Sequence, residues 1–479
     1  MKFIKKRLLI YFIIIILSLF GFISLSSKTY AIKEDTFQQL KNTGECPACN
    51  LFKANLVEWE LTEANLNGAN LTEANLSLSR LNRANLFRAN LTKAKLNQTL
   101  LLAANLTEAN LSLAQLNQAE LQAAILTKTN LYNSSIQKAN LEKAHLEKAD
   151  LTKANLQNTN LIYARLRGAN LSQTNLENAI LNYVDFRETT ITENTKIDDK
   201  WRNVQQFVTN QVDPTVTHLN LSQVSLESLD FRNHNLIGAN LSQSELFIVN
   251  LKNTNLSQSN LTEALLNYVD LTQANLKETN LSKANIQYTD LTQANLSQSN
   301  LSQAIFIDTN LTKANLSNCD LTATNLLQTN LTETDLSYAN LTNTQLPKKN
   351  LDSKWIIVWK ILNNQLEDND KLSNIDLSKA YLKGANLYRK GLQETNLSGS
   401  NLENANLKQA NLFKAKLNQT NFRNANLKNA ILAYGDVSEA DFTGANLSYA
   451  NLTKVKGANL ENAILCGAIL PDGKKSPCP

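Results

Sequence analysis

The cysteines are the residues of this chain whose type and spacing are best suited to chemistry. Cys46 and Cys49 form a C-x-x-C pair, a spacing found both in thiol redox centres and in structural cross-links. The alternating strand and helix pattern of thiol oxidoreductases does not surround the pair, so we expect a structural role. The pair then forms either a local disulfide or two buried thiols at the start of the fold.

The two C-terminal cysteines form a second candidate disulfide. Cys466 and Cys478 lie far along the chain from the C-x-x-C pair, so the four residues do not resemble a structural zinc site. A bond between Cys466 and Cys478 would close a loop of about 13 residues and contribute roughly 3 kcal/mol to stability. We expect it to fix the last turn of the chain to the residues before it.

The remaining polar residues do not suggest an active site. The three histidines, His145, His218 and His234, are too far apart in sequence register to share a metal ion or a proton. Carboxylate pairs such as Glu142 with Glu147 recur on outward positions, where they are solvated far more often than catalytic. The sequence therefore predicts no catalytic residues, no cofactor and no metal, and a protein that is not an enzyme.

A leucine at every fifth position dominates the chain instead. Residues 69–91 read ANLTEANLSLSRLNRANLFRANL. A five-residue step scatters side chains around an α-helix and sends them to alternate faces of a β-strand. All the leucines share one interior only if the chain turns a corner once per repeat, so that four repeats close a coil. Stacked coils then pair their backbone groups as parallel strands do.

The register of the repeat separates inward from outward positions. The leucine (position i) and the small residue at i−2 point inward, whereas i+1 and i+2 point outward, with Asn at i−1 and Ser or Thr at i+1 near the corners. Cys319 occupies an i−2 site, which predicts a buried and inert thiol. Leu78 and Phe87 are apolar residues at outward positions, and with Arg83 and Arg88 they form the predicted partner surface.

The motif A-(D/N)-L-x-x resembles the repeat of the pentapeptide-repeat family over most of the chain after residue 50. The resemblance implies an all-β solenoid, a right-handed quadrilateral β-helix. Position i−1 departs from the family pattern because it is almost always Asn, with Asp at a few sites such as Asp150. The CPAC entry and the LPDG exit resemble those of exported, often cyanobacterial, members.

The repeats fall into three segments separated by two interruptions. Residues 197–211 of the first interruption align without gaps to residues 351–365 of the second, and both show helical apolar spacing. Asp198 and Asp352 are candidate N-caps. The matched apolar residues, which we expect to anchor each helix over the end of a β-helix, are Trp201, Val204, Trp355 and Val358. The alternative is a loop that bulges from one continuous solenoid.

The predicted organisation has eight parts. Residues 1–31 are a signal peptide or a membrane anchor, and residues 32–50 are an N-terminal cap that contains CPAC. The β-helix segments cover 51–191, 221–346 and 377–470, the helical interruptions cover 192–220 and 347–376, and the tail covers 471–479.

The N-terminal residues have the features of an export signal. A basic start precedes an apolar run from Leu8 to Leu25, and Ala31 suits cleavage by signal peptidase. An uncleaved segment would be long enough to anchor the chain in a membrane through residues 8–25. The five basic residues of this region account for the whole net charge of +5, so the remaining chain is neutral.

These features predict a non-enzymatic exported scaffold in the periplasm, thylakoid lumen or cell envelope that binds an unknown protein. A neutral mature chain lacks the overall positive charge expected for nucleic-acid binding, which leaves only a local basic patch, such as Arg80, Arg83 and Arg88, as a candidate. We expect membrane contact only through an uncleaved N-terminal segment. Two alternatives are a redox protein that depends on CPAC and, by resemblance to some family members, a DNA mimic that protects a topoisomerase. Such mimics are acidic and cytoplasmic, unlike this chain.

Overall fold

The computed structural model describes residues 34–211, 217–347, 349–367 and 370–478. The predicted signal peptide at residues 1–31 lies outside the described residues. The chain divides into two compact units. The first contains the described residues up to Leu181 together with Arg187–Asp198, and the second contains Asn182–Phe186 and the described residues from Asp199 onwards.

Regular helices and strands are few and short in the described residues. The helices are α1 (Glu34–Thr43), α2 (Asp199–Val208) and α3 (Ser353–Leu362). Helices α2 and α3 confirm the predicted helices in the two interruptions. The strands, all in the second unit, are β1 (Ser225–Glu227), β2 (Glu245–Phe247), β3 (Leu265–Asn267), β4 (Asn285–Gln287), β5 (Ile305–Ile307), β6 (Thr309–Asn310) and β7 (Thr329–Asn330).

Parallel pairing between each repeat and the fourth repeat after it builds both units. In the first unit, Asn65 bridges Asn85 in the next coil, and Asn85 bridges Asn105. The Leu66 N–H donates to the Asn85 carbonyl (2.8 Å), and the Asn85 N–H donates to the Ala64 carbonyl (2.8 Å). In the second unit, β1 to β5 form a parallel sheet in the same register. The predicted solenoid with four repeats per coil is confirmed.

Each corner of a coil is a β-turn that begins at the leucine. The Ala74 N–H donates to the Leu71 carbonyl (3.0 Å), and Glu73 at i+2 has φ of 57°. This left-handed conformation recurs at i+2 throughout the repeats. Asn70 at i−1 lies on the straight part of the coil, not in the corner as expected, but its Oδ1 accepts from the Thr72 N–H (3.2 Å) and hydroxyl (2.7 Å).

The interior consists of the inward leucines and the small residues two positions before them, nearly all of which are fully buried. Buried threonines at i−2 need a partner for the hydroxyl. Thr254 shows the recurring solution, because its hydroxyl donates to the Phe231 carbonyl in the preceding coil (2.8 Å). Larger side chains stack from coil to coil, as Phe422 does on Phe442 at 5.0 Å between ring centroids.

Helix α1 covers the start of the first unit. Leu40 is buried, and the Phe37 ring packs against Trp59 at 5.7 Å. Trp59 occupies an i−2 position where other repeats have a small residue, most often alanine, so its large side chain meets the helix. The Gly44 N–H donates to the Leu40 carbonyl (2.9 Å) with φ of 67°, a left-handed glycine that ends the helix.

Helix α2 packs its apolar face against repeat residues of the second unit. The Trp201 ring lies 6.3 Å from Phe186, and Phe207 stacks on Phe231 at 4.2 Å. The Tyr183 N–H donates to the Gln223 carbonyl (2.9 Å), so the residues before and after the interruption pair directly with each other.

Helix α3 repeats this arrangement at the second interruption. Asp352 caps its N-terminus by accepting from the Lys354 N–H (2.9 Å). The Trp359 indole N–H donates to the Thr344 carbonyl (2.6 Å), while the Tyr338 N–H donates to the Lys379 carbonyl (2.7 Å). At each interruption, therefore, a helix packs against the coil, and a backbone hydrogen bond joins the coil before the interruption to the coil after it. The limits of the three predicted segments stay predictions.

The last coil is shorter than the others, and the tail turns back on it. Asn451 bridges Ile469, two positions earlier than the regular spacing would place its partner. Ile469 then pairs with Lys475 in an antiparallel bridge, and the Ser476 N–H donates to the Ala468 carbonyl (2.8 Å). The tail therefore lies beside the last coil with reversed chain direction.

A truncation inside one coil tests this packing. Leu256 is fully buried, so we expect Leu256→Ala to lower the free energy of unfolding by about 2 to 5 kcal/mol because it leaves a cavity. The measurement is urea denaturation followed by circular dichroism. Ser257→Ala, at the neighbouring outward position, is the control, and a loss of equal size there would contradict the assignment of inward and outward positions.

Candidate interaction surfaces

The four candidate cysteines form two cross-links. The Sγ atoms of Cys46 and Cys49 lie 1.98 Å apart, and those of Cys466 and Cys478 lie 1.91 Å apart. For the first pair the structure therefore selects the local disulfide over two thiols. Cys46 is fully buried and Cys49 is half-buried.

Cys319 is a free thiol enclosed by the solenoid interior. Its side chain is 2% exposed, and its Sγ donates to the Leu296 carbonyl of the preceding coil (2.9 Å). Burial raises the pKa of the Cys319 thiol to about 12, because the thiolate would lose its hydration. A thiol in this state is a poor nucleophile.

The described residues offer no cluster for metal chemistry. No group of three or more His, Cys, Asp or Glu side chains among them is placed to hold a metal ion. His145 lies near Glu147 (3.8 Å), and His234 packs edge-on against the Phe231 ring at 5.4 Å. Within the part of the chain that the structure describes, none of the helices is both long and apolar enough to span a bilayer.

The predicted partner surface does not form a single patch. Leu78, Arg83 and Phe87 follow three successive inward leucines, so they lie at three successive corners of a coil. Leu78 is exposed as expected. The expected exposure of Phe87 is wrong: its ring is half-buried, and the Arg88 guanidinium covers it at 4.7 Å. The arginines also form ion pairs between coils, Arg83 with Glu63 (3.5 Å) and Arg88 with Glu108 (2.7 Å).

A larger apolar surface lies in the second unit, along the side formed by β1 to β5. We define the apolar side as the outward residues of these strands and the corner residues that follow them. It also includes Leu327, which continues the same row of outward residues in the coil after β5. Pairing between the strands keeps these residues in rows, one coil apart. The exposed apolar residues of this side are Phe247, Ile248, Tyr268, Tyr288, Ile305 and Leu327.

The aromatic rings of the apolar side contact one another across the coils. Phe247 meets Tyr268 edge-on at 6.0 Å, and Tyr268 stacks on Tyr288 at 4.8 Å. Tyr268 nevertheless keeps 53% of its surface exposed, and Ile248 keeps 51%. The outward residues of β3 and β4 are all uncharged, so the centre of the surface carries no charge. At its far end, Leu327 borders an open cavity of about 520 Å³.

Sequence reasoning missed the apolar side, although a signal was present. At i−1, where most repeats have Asn, this side has Glu245, Leu265 and Ile305. At i+2 it has Ile248 and the two tyrosines, with φ between 48° and 56°. A β-branched residue is unusual in this left-handed conformation. The departures become visible when the sequence is aligned with four repeats in each row.

The parallel stacking of four-repeat coils, with leucine inside and a left-handed residue at each corner, defines a β-solenoid built from five-residue repeats. A family model described as pentapeptide repeats (8 copies) matches residues 49–86, 84–122, 114–152, 154–192, 244–282, 279–318, 314–348, 392–429 and 420–456. These matches cover more than half of the chain, and the chain belongs to the pentapeptide-repeat family. Members of this family are generally non-enzymatic scaffolds.

Several solved structures match part of this chain at low sequence identity. HetL, involved in heterocyst differentiation regulation in the cyanobacterium Nostoc sp. strain PCC 7120, is 23% identical, with 62% of this chain and 91% of that chain covered and a TM-score of 0.15. Rfr23 from the cyanobacterium Cyanothece 51142 is 27% identical over 34% of this chain and 98% of its own, with a TM-score of 0.12. Full-length QnrB1, a plasmid-mediated fluoroquinolone resistance protein, is 14% identical, with 52% and 94% covered and a TM-score of 0.14. No curated protein matches the chain.

The buried state of Cys319 has a direct chemical test. Because its thiol is enclosed and its pKa is about 12, we expect no reaction with a disulfide reagent such as dithionitrobenzoate at pH 8 in the folded protein. One thiol per chain should react after denaturation without reductant, since the other four cysteines are paired. Rapid labelling of the native protein, with Cys319→Ala as the blank, would contradict the burial.

Proposed function

We propose that the protein is an exported, non-enzymatic scaffold that binds a protein partner through the apolar side. The observation that carries this proposal is the row of exposed, uncharged aromatic residues on a sheet of paired strands. Contiguous exposed apolar patches mark interaction sites on soluble proteins, and aromatic residues are enriched at the centres of interfaces. Because the strands are fixed by their neighbours, little ordering entropy opposes binding.

The corner residues of the apolar side support a role other than folding. Ile248 adopts φ of 56°, a conformation that costs an L-residue about 1 to 2 kcal/mol and that Asn or Gly adopts with less strain. Its side chain is exposed and contributes little to the solenoid interior. An apolar residue that is conformationally strained at a solvent-exposed corner is consistent with selection for contact with a partner.

Two features support export. The N-terminal sequence has the basic start, apolar run and Ala31 of a signal peptide. The four paired cysteines are typical of an oxidising compartment, since disulfides seldom persist in the cytosol. We place the protein in the periplasm, thylakoid lumen or cell envelope.

Site-specific photocrosslinking tests the partner proposal. We expect a photoreactive amino acid at Tyr268, or separately at Tyr288, to capture the same protein in the envelope fraction, because both positions face one surface. The same group at Gln273 should not capture it. The purified partner should then bind the triple variant Ile248→Asn, Tyr268→Asn, Tyr288→Asn at least about 100-fold more weakly, as expected for loss of a hot-spot cluster.

The matched control is Gln273→Asn, Gln293→Asn, Lys313→Asn. These residues are at the equivalent i+2 corners of the neighbouring side and share the left-handed conformation. Because Asn suits this conformation, neither triple variant should lower the Tm of the protein. Equal affinity of the partner for both variants would refute the apolar side as the binding surface.

Fractionation with N-terminal sequencing tests export. We expect the chain to be recovered from a soluble exported fraction with Ile32 as its first residue, because Ala31 completes the signal-peptide pattern. A membrane-bound chain that retains residues 8–25 would show the anchored form instead. Recovery of the intact chain in the cytoplasm would refute export.

A further inference from the structure

The last coils of the second unit carry a surface of different chemistry. We define the basic aromatic side by two neighbouring corners and the straight row between them. The backbone bridges Asn411 to Ile431, Ile431 to Asn451 and Asn451 to Ile469 hold the straight row in register. The cations are Arg389, Lys408, Lys414, Lys428 and Lys454, the aromatic residues are Tyr388, Phe413, Tyr434 and Tyr449, and the exposed residues of the row between them include Ile431 and Ile469.

The cations and rings of this side form connected pairs. The Lys414 ammonium lies 5.3 Å from the Phe413 ring, which meets the Tyr434 ring at 5.5 Å. The Lys454 ammonium lies 5.3 Å from the Tyr434 ring. On the other corner, Lys428 lies 5.7 Å from Tyr449. The rings therefore hold the ammonium groups at the surface by cation–π attraction.

The positive charge of this side is not neutralised by neighbours. None of its five cations forms an ion pair with a carboxylate among the residues that the structure describes. At another corner of the same coils, by contrast, Lys383 pairs with Glu403 (3.1 Å) and Arg423 pairs with Asp441 (3.6 Å). Acidic residues occur on the basic aromatic side only at its two ends, at Glu394 and Asp472, and Asp472 pairs with Lys474 (3.3 Å).

We propose that the basic aromatic side docks on an anionic lipid surface. Uncompensated lysines attract anionic headgroups, and tyrosine side chains favour the boundary between headgroups and acyl chains. Ile431 is 40% exposed and Tyr449 is 51% exposed, so apolar groups project between the cations and can enter that boundary. A single-stranded nucleic acid fits less well, since its bases stack on open ring faces, and here lysines lie over the rings.

This inference is independent of the protein partner, which we assign to a different surface, and of whether residues 8–25 are retained. An environment-sensitive fluorophore reports the docking itself when attached to Thr453→Cys, at a corner of the basic aromatic side. The same label on Thr443→Cys, at a corner of another side, is the positional control. Both are made in the full chain, where the only other free thiol, Cys319, is buried.

Vesicles of phosphatidylcholine mixed with a minor fraction of anionic phosphatidylglycerol are the probe. We expect the Thr453→Cys label, but not the Thr443→Cys label, to brighten and shift to the blue with these vesicles at low salt. Pure phosphatidylcholine vesicles should give no response, and high salt should abolish the response to the anionic vesicles because it screens the attraction. Lys414→Glu, Lys428→Glu, Lys454→Glu should weaken the apparent partition coefficient by at least about 100-fold.

The charge control is Lys93→Glu, Lys138→Glu, Lys148→Glu, which reverses three exposed lysines at corners of the first unit. It should leave the response unchanged. An equal loss in this variant would mean that net charge alone drives binding and would overturn the proposal. So would a label that responds to polyglutamate or to single-stranded DNA but not to the anionic vesicles, because the partner would then be a soluble polyanion.

Discussion

The hydrogen bonds that join each coil to the next, four repeats further along the chain, are the constraint on which the whole structure depends. A five-residue segment is too short to be stable alone, and its backbone groups are paired only when the next coil is in register. This register fixes every other choice. It requires a corner once per repeat, a left-handed residue at each corner, and an interior filled mainly by leucine and small side chains, with a few phenylalanines. Only the outward positions of each repeat are free to vary in residue type, and these positions form the surface.

Those strict demands explain how much of the fold could be predicted from the sequence. The inward sites tolerate few residue types, so the period of five and the burial of Cys319 were readable along the chain. The helices in the interruptions were readable because Trp201 and Trp355 recur in matching apolar patterns. Helix α1 was not singled out, although Phe37, Leu40 and the terminal Gly44 mark it, because it is a single short element next to a strong repeat.

The surfaces were less predictable because they are built from residues that are distant in sequence. Ile248, Tyr268 and Tyr288 each look like an isolated exception to the repeat, and only coil-to-coil pairing brings them together. Phe87 shows the opposite case: it looked exposed, but the conformation of the Arg88 side chain covers it. Local pattern therefore determines whether a residue points outward. The contacts between coils determine what it meets there.

The reversed tail has a consequence for assembly. A terminal coil with free backbone groups is a template on which a second copy could add its own coil in parallel, and repetition of that step produces fibres. Here the antiparallel bridge from Ile469 to Lys475 covers part of that edge with a segment that runs opposite to the direction a second copy would need. The disulfide between Cys466 and Cys478 keeps this segment attached to the last coil. By covering this edge, the tail disfavours the addition of further copies and so favours a solenoid of defined length over open-ended polymerisation.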